Sequence, residues 1–458
     1  MTELALTGLA AELYAPLRDL PIMSPHGHCD PVWFAQNTPF ADPAALIITP
    51  DHYVFRMLYS QGVSLDALGI GQPAGSTDPR KVFQIFADNW HLFLGTPSRL
   101  WIADMLRGGF GITDALTSAN AMDIYDRIDA ALKTDAFRPR ALFETMNLEV
   151  LATTDAATDP LTHHQAILDS GWRGRVVPTF RPDAVLDPSD PRFAAELTTL
   201  AQITDTDITT FEAYLNALRA RRAFFKDLGA TATDHAIETL QTDLCAPRFA
   251  AELFDKARKG EIDEYEAALF HGHMLTEMAQ MSCEDGLVMQ LHAGSRRNSN
   301  PAIFDTYGRD MGADIPVATD WVRGLEGLLN RCGNNPNFTL IAFTLDETTY
   351  ARELAPMAGH WPCLKIGPPW WFHDSVAGIA RYFDQVVETA GYQNLAGFND
   401  DTRAFMSIPA RHDVWRRCVA LHLAGQVERG FFGKEDAAAL ARQLSYDLAR
   451  DSYNLLLP

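Results

Sequence analysis

The chain predicts an α/β fold, a (β/α)8 TIM-type barrel with a large helical insertion after its first strand. Short apolar runs alternate with long helical patterns from about Glu149 onward, there are eight such runs once 20–23 is included, and nearly every run stops in polar or aromatic residues before the next helix begins. Alternation of this kind marks a parallel sheet, because each return to the sheet needs a crossover. Eight strand–helix units is the number that closes a barrel.

The runs read as strands are 20–23, 149–153, 176–180, 230–234, 287–292, 338–344, 364–368 and 395–398. The first crossover, 30–148, is far too long for one helix and carries helical patterns at 51–61, 79–94 and 98–106, rich in Trp, Phe and Met. The expected division is therefore 1–30 with 146–458 as the barrel and 31–145 as a helical insertion. The loop after a first strand emerges at the barrel's C-terminal mouth, so the insertion either caps that mouth or forms an independent helical domain beside it. The third crossover is enlarged by helical patterns at 191–200 and 209–228, and 435–455 reads as one or two closing helices.

With 458 residues, 47% of them hydrophobic, the chain can bury a large core. A formal net charge of −21 argues against nucleic acid or an anionic membrane surface as partner, so an anionic small molecule has to be met by local arginines. The six cysteines (Cys29, Cys245, Cys283, Cys332, Cys363, Cys418) form no CxxC pair and are expected as free thiols in a reducing compartment. The N-terminus carries Glu3, Glu12, Arg18 and Asp19 rather than a basic start and a long apolar core, and no run approaches the roughly 20 apolar residues of a membrane span. A cytoplasmic, soluble protein is the expectation, and a homo-oligomer is compatible with it.

The most informative residues are His26-Gly27-His28, just past the first apolar run. In an extended chain residues two apart point the same way, so both imidazoles can reach one ion, although a packed or surface pair is the bland alternative. His271 and His273 repeat the spacing inside a helical pattern, where positions two apart diverge by roughly 200°, and are read as a decoy. Strand ends at a barrel mouth share one site. They supply Thr153, Thr154 and Asp155, then Arg181, Asp234 and His235, His292, Trp370 and Trp371, and finally Asp401 and Arg403. The last strand closes beside the first, so His26, His28 and Asp401 can hold one divalent ion with room for water or substrate, zinc being first by ligand type. For Asp401 alone a salt-bridged loop carboxylate stands as the alternative, and for each arginine a surface ion pair.

Taken in order, these segments resemble the uronate isomerase family of the amidohydrolase superfamily over nearly the whole chain. The resemblance rests on His26-Gly27-His28 with Asp30-Pro31, Asp51-His52-Tyr53 with Arg56, Leu151-Ala152-Thr153-Thr154-Asp155, and Phe180-Arg181-Pro182-Asp183. It continues through Asp234-His235, Gln290-Leu291-His292, Trp370-Trp371-Phe372, and Asp401-Thr402-Arg403 with Ser407, Arg411 and His412. It implies reversible aldose–ketose conversion of hexuronates, D-glucuronate to D-fructuronate and D-galacturonate to D-tagaturonate, through an enediol. By the same resemblance His26, His28 and Asp401 hold the metal and Asp401 moves the proton. Arg181 and Arg403 grip the carboxylate and hydroxyls, as a guanidinium fork suits.

His52 and Tyr53 reach the substrate only if the insertion caps the mouth; His235 and His292 are expected at sugar oxygens, and Trp370 and Trp371 against a sugar face. The sixth strand ends in Thr344 without a histidine, which favours a single metal over two. Ser24, Val54-Phe55, His373 and Asp400 depart from the family pattern and bear on which hydroxyl stereochemistry is accepted. A metal-dependent hydrolase of a sugar-acid lactone or ester, and a non-catalytic sugar-acid binding protein, stand as rival readings.

Overall fold

The computed structural model describes residues 4–73 and 75–456. Glu3, and the outermost residues of the expected barrel bounds at 1–3 and 457–458, lie outside the described residues, as does Ala74 of the insertion. The described strands are β1 (Ile22–Ser24), β2 (Leu148–Ala152), β3 (Asp155–Ala156), β4 (Arg175–Val177), β5 (Phe180–Arg181), β6 (Ala232–Ile237), β7 (Val288–Ala293), β8 (Ser295–Arg296), β9 (Ile315–Pro316), β10 (Leu340–Thr344) and β11 (Leu364–Ile366). Two parallel sheets run β1-β2-β4 and β11-β10-β7-β6-β5-β3, and β8 pairs antiparallel with β9.

The two parallel sheets share chain direction and neighbours. β3 carries on from β2 and β5 from β4, and the breaks are bridged where the Thr153 N–H donates to the Val177 carbonyl at 2.9 Å and the Asp155 N–H to the Thr179 carbonyl at 3.0 Å. The expected strand at 149–153 is therefore β2 to within one residue, resumed after a break as β3, and the one at 176–180 is split between β4 and β5. The eighth run, 395–398, forms no strand: it holds one parallel bridge, Ile366 to Leu395. Its pleat breaks at Gly397, which sits at φ +81° and lies so close to the Ala449 backbone that a Cβ would meet its nitrogen at 2.4 Å. The β8–β9 hairpin, inside the loop after β7, was not expected; its strands are only two residues long, too short for an alternating pattern.

Buried side chains fall into three groups. The first, the largest, packs the helices against the outer faces of the strands. A second lies within the insertion around Phe34, Phe55, Phe83, Phe86 and Trp90 and runs on into Ile22, Leu148 and Val176, so the insertion shares its core with β1, β2 and β4. A third takes Met23, Val150, Val177, Ala232, Val288, Ile341 and Ala396, one or more residues from nearly every parallel segment, and is closed below by Tyr446 and Tyr453 of the C-terminal helices. Strands buried on both faces explain why these runs are continuously apolar instead of alternating.

Local signals start the insertion helices. Asp30, Asp42, Asp78 and Thr96 accept from backbone N–H groups of the first turns of Pro31–Gln36, Pro43–Ile47, Pro79–Asp88 and Pro97–Phe110, each with proline at its first position, where the lost N–H costs nothing. Among the described residues no helix is long and apolar enough to cross a membrane.

The chain entering β1 is anchored by Arg416, a buried residue of the helix Ile408–Glu428, which donates to the carbonyls of Arg18, Leu20 and Pro21 at 2.9 to 3.1 Å. Arg416→Met keeps the volume but leaves these carbonyls unpaired, and should lower the unfolding free energy by about 2 kcal/mol. Urea midpoints measure this, and a midpoint equal to the parent's would show that other donors serve.

Candidate active site

β1 ends at Ser24, and the chain beyond it carries His26 and His28 to one carboxylate from the other end of the sequence. Asp401 Oδ1 lies 3.4 Å from His26 Nε2 and 3.1 Å from His28 Nε2. Asp401 occupies this place in the left-handed region, φ +40°. The turn is tied to β1's extension by the His28 N–H donating to the Thr402 carbonyl at 3.0 Å. Ligands about 2.05 Å from a tetrahedral ion stand about 3.3 Å apart, so the separation of Asp401 from each imidazole matches what a divalent cation requires. The three ligand atoms lie within 4.8 Å of one another.

Burial opposes charge on Asp401, yet His26 and His28 hold its carboxyl well below the usual carboxylate range. Burial likewise pushes His26 down, but the Asp401 charge outweighs it and the imidazole ends above its ordinary value; at His28 burial wins and the value falls.

One wall is built on β5, β6 and β7. His292 Nδ1 lies 2.7 Å from Asp234 Oδ1, and its ring stacks on Phe343 and on His26 at centroid distances of 4.1 and 4.8 Å. Burial lowers the His292 pKa, so the neutral ring with Nδ1–H donated to Asp234 presents Nε2 as an acceptor. That Nε2 is buried and has no protein partner. Arg181 reaches Asp234 Oδ2 at 3.4 Å and Asp183 Oδ2 at 2.8 Å. Against burial, Arg181 and His292 hold the Asp234 carboxyl well below its usual value. His26, Asp234 and His292 are a second triple within 4.8 Å. The Arg181 guanidinium beside Asp234 places positive charge there already, which favours the His26–His28–Asp401 set.

The opposite wall comes from the insertion and from the loop after β11. Asp51 caps the helix His52–Ser60 by accepting the Tyr53 N–H at 2.9 Å, which fixes His52 and Tyr53 in the first turn. His52 packs on Trp371 at 4.4 Å between centroids, and burial, followed by Arg403, holds its imidazolium well below the ordinary value. Tyr53 OH lies 3.0 Å from the Trp371 carbonyl and 3.1 Å from Asp374 Oδ2. Trp371 holds φ +54° and donates its indole N–H to the Asp314 carbonyl, while Trp370 stands edge-on to His292 at 5.0 Å. Arg403, half-exposed, pairs with Asp310 at 2.9 Å; burial opposes it, but Arg403 brings Asp310 down to about 2.

His26, His28, Asp401, His292, Trp370 and Arg181 are thus linked through direct contacts or through Asp234, while His52, Tyr53 and Trp371 form a second contact set and Arg403, paired with Asp310, acts on both His28 and His52 through its charge. His235 is not among them. Side chains alternate along β6, so with Asp234 turned toward His292 and Arg181, His235 faces the helices, bonded to Thr233 at 3.1 Å and under the influence of Arg222 and His271. His273 sits buried in the helix Glu264–Asp285 and accepts the Cys245 N–H. Of the pair Asp234-His235 at this strand end, only His235 was expected at a sugar oxygen, whereas strand alternation turns Asp234 toward His292. Asp374 and Asp310 take their places from loop geometry, which no local pattern announces, and Arg411, part of the family-like segment, had no role assigned to it.

Comparison with known proteins covers nearly the whole chain. The profile of the glucuronate isomerase family matches residues 3–453. A uronate isomerase of Rhizorhabdus wittichii is 53% identical over 447 residues, covering 98% of this chain and 95% of that protein. The crystal structure of glucuronate isomerase from Caulobacter crescentus superposes with a TM-score of 0.96 at 51% identity, covering 98% of this chain and 94% of that one. Uronate isomerase from Thermotoga maritima superposes at 0.92 with 27% identity, covering 97% of each. The match spans the α/β fold with its parallel sheets and the whole site, and the chain belongs to the glucuronate isomerase family.

Proposed function

We propose that this chain interconverts hexuronate aldoses and ketoses, D-glucuronate with D-fructuronate and D-galacturonate with D-tagaturonate, by proton transfer through an enediol. The observation that carries the reading is the meeting of His26, His28 and Asp401 in one pocket, with Arg403 and Arg181 beside it. Family membership weighs against the lactone hydrolase and the silent binder.

His26, His28 and Asp401 would hold one divalent ion, zinc by its nitrogen and oxygen ligands at tetrahedral spacing. When bound, the cation supplies an electrophile that lowers the cost of negative charge on a substrate oxygen. Asp401, held ionised, removes the C2 proton and returns it at C1. Arg403 takes the uronate carboxylate, since its one partner, Asp310, is a half-exposed carboxylate that a substrate anion can replace. Arg181 and the free His292 Nε2 bind hydroxyls, and His52 and Tyr53 complete the pocket from the insertion side. Trp370 and Trp371 pack the sugar face.

The parallel segments would close as a (β/α)8 barrel, 1–30 with 146–458, capped by 31–145. The interior group with a member from nearly every segment, the Ile366–Leu395 bridge and the His28–Thr402 hydrogen bond across the seam all support this. Tyr53 and His52 packed on Trp371 support a cap over the mouth. The six unbridged cysteines suit a reducing compartment, the cytoplasm.

Asp401→Asn should lower turnover of glucuronate by 100-fold or more while the far-ultraviolet dichroism stays unchanged, followed by solvent exchange at C2. Near-parental exchange would place the base elsewhere. Arg403→Lys should raise the KM for glucuronate about tenfold and leave a neutral aldohexose little affected; equal losses on both would remove the carboxylate role. Metal analysis should return about one divalent ion per chain. Adding zinc to chelator-treated protein should raise its melting temperature, and His28→Ala should abolish that rise; a rise that survives the substitution would move the site.

A further inference from the structure

Behind Tyr53 lies a buried polar set that the reaction outlined above does not use. Asp374, in the loop after β11, and Arg411, on the helix Ile408–Glu428, are both almost completely buried. Asp374 Oδ2 accepts Arg411 Nη1–H at 3.1 Å and lies 3.1 Å from the Tyr53 hydroxyl. Arg411 also donates its Nε–H to Ser407 Oγ at 3.0 Å and lies 3.4 Å, through Nη1, from the carbonyl of Asp400, the residue before Asp401. Its guanidinium carbon lies over the Trp101 ring, 3.6 Å from the centroid, and over Tyr53 at 4.9 Å. The Tyr53 ring is held edge-on between Trp101 and Trp371.

This arrangement joins three distant parts of the chain: the insertion and the loop after β11 meet at the Asp374 carboxylate, and Arg411 carries the link on to the turn that bears Asp401. A buried charged pair adds little net stability, because removing both charges from water costs as much as their attraction returns. A buried phenol whose bond geometry is set by a charged acceptor is instead a preorganised group. We infer that Asp374 and Arg411 are positioning residues, which hold the Tyr53 hydroxyl at a set distance from the Asp401 turn so that Tyr53 acts on substrate as Asp401 moves the proton.

The inference rests on the proposed catalytic role of Tyr53, and a double-mutant cycle on glucuronate isomerisation separates the two. Asp374→Ala should lower kcat about tenfold with KM changed less than twofold. Asp374→Asn, which keeps an acceptor oxygen, should recover most of the loss. In a Tyr53→Phe background the Asp374→Ala change should cost nothing further, since the hydroxyl it aligns is gone. Arg411→Lys, which keeps the charge and loses the fork, should behave in the same way and serves if Asp374→Ala does not fold. Losses that multiply between positions 53 and 374 would overturn the positioning role alone. Parental turnover in Tyr53→Phe would overturn the role of Tyr53 and this inference with it.

Discussion

The site depends on a junction between the two ends of the chain. The His28 N–H donates to the Thr402 carbonyl, and this one backbone bond sets Asp401 between two imidazoles that precede it by more than 370 positions. The junction is costly in isolation: Asp401 adopts a left-handed backbone, and three ionisable groups leave water together. Backbone strain of this kind persists only where surrounding structure over-determines it. Here the surroundings are Arg411 on the Asp400 carbonyl, His412 on the Asp400 carboxylate, and the stacked His26–His292–Phe343 rings beneath.

The charges around the junction are arranged in opposition to the molecule as a whole. A chain of formal charge −21 repels anions at long range, yet Arg181, Arg403 and Arg411 meet within or against the pocket. Each is already paired with an aspartate. The pairs differ in burial: Arg411–Asp374 is sealed, so packing fixes its geometry, whereas Arg403–Asp310 is half open to water, where an ion pair is weak and readily exchanged.

The insertion makes sense in these terms. Its helices start at side-chain caps followed by proline, and its core runs into β1, β2 and β4, so it packs directly against the sheet. That packing brings His52 and Tyr53, in a helix first turn, into contact with Trp371.

Much of this was legible in the residue order. Continuous apolar runs identified the parallel strands because strands buried on both faces leave no polar register, and the histidine pair two apart identified a possible chelate because the extended chain repeats every two residues. The same rule, applied to β6, would have preferred Asp234 over His235. The missing eighth strand was not legible, since Gly397 yields its pleat to the Ala449 backbone, roughly 180 Å away along an extended chain but in contact once folded. Nor were Asp374 and Asp310, and Arg411 was legible as a matching residue but not as the partner of Asp374. The sequence by itself determined which segments are apolar and periodic, and so the class of fold and the ligand types, because those are local properties of the chain. Only the tertiary structure decided which carboxylate each arginine and histidine meets, because those distances are set by how helices and loops far apart in sequence pack on the sheet.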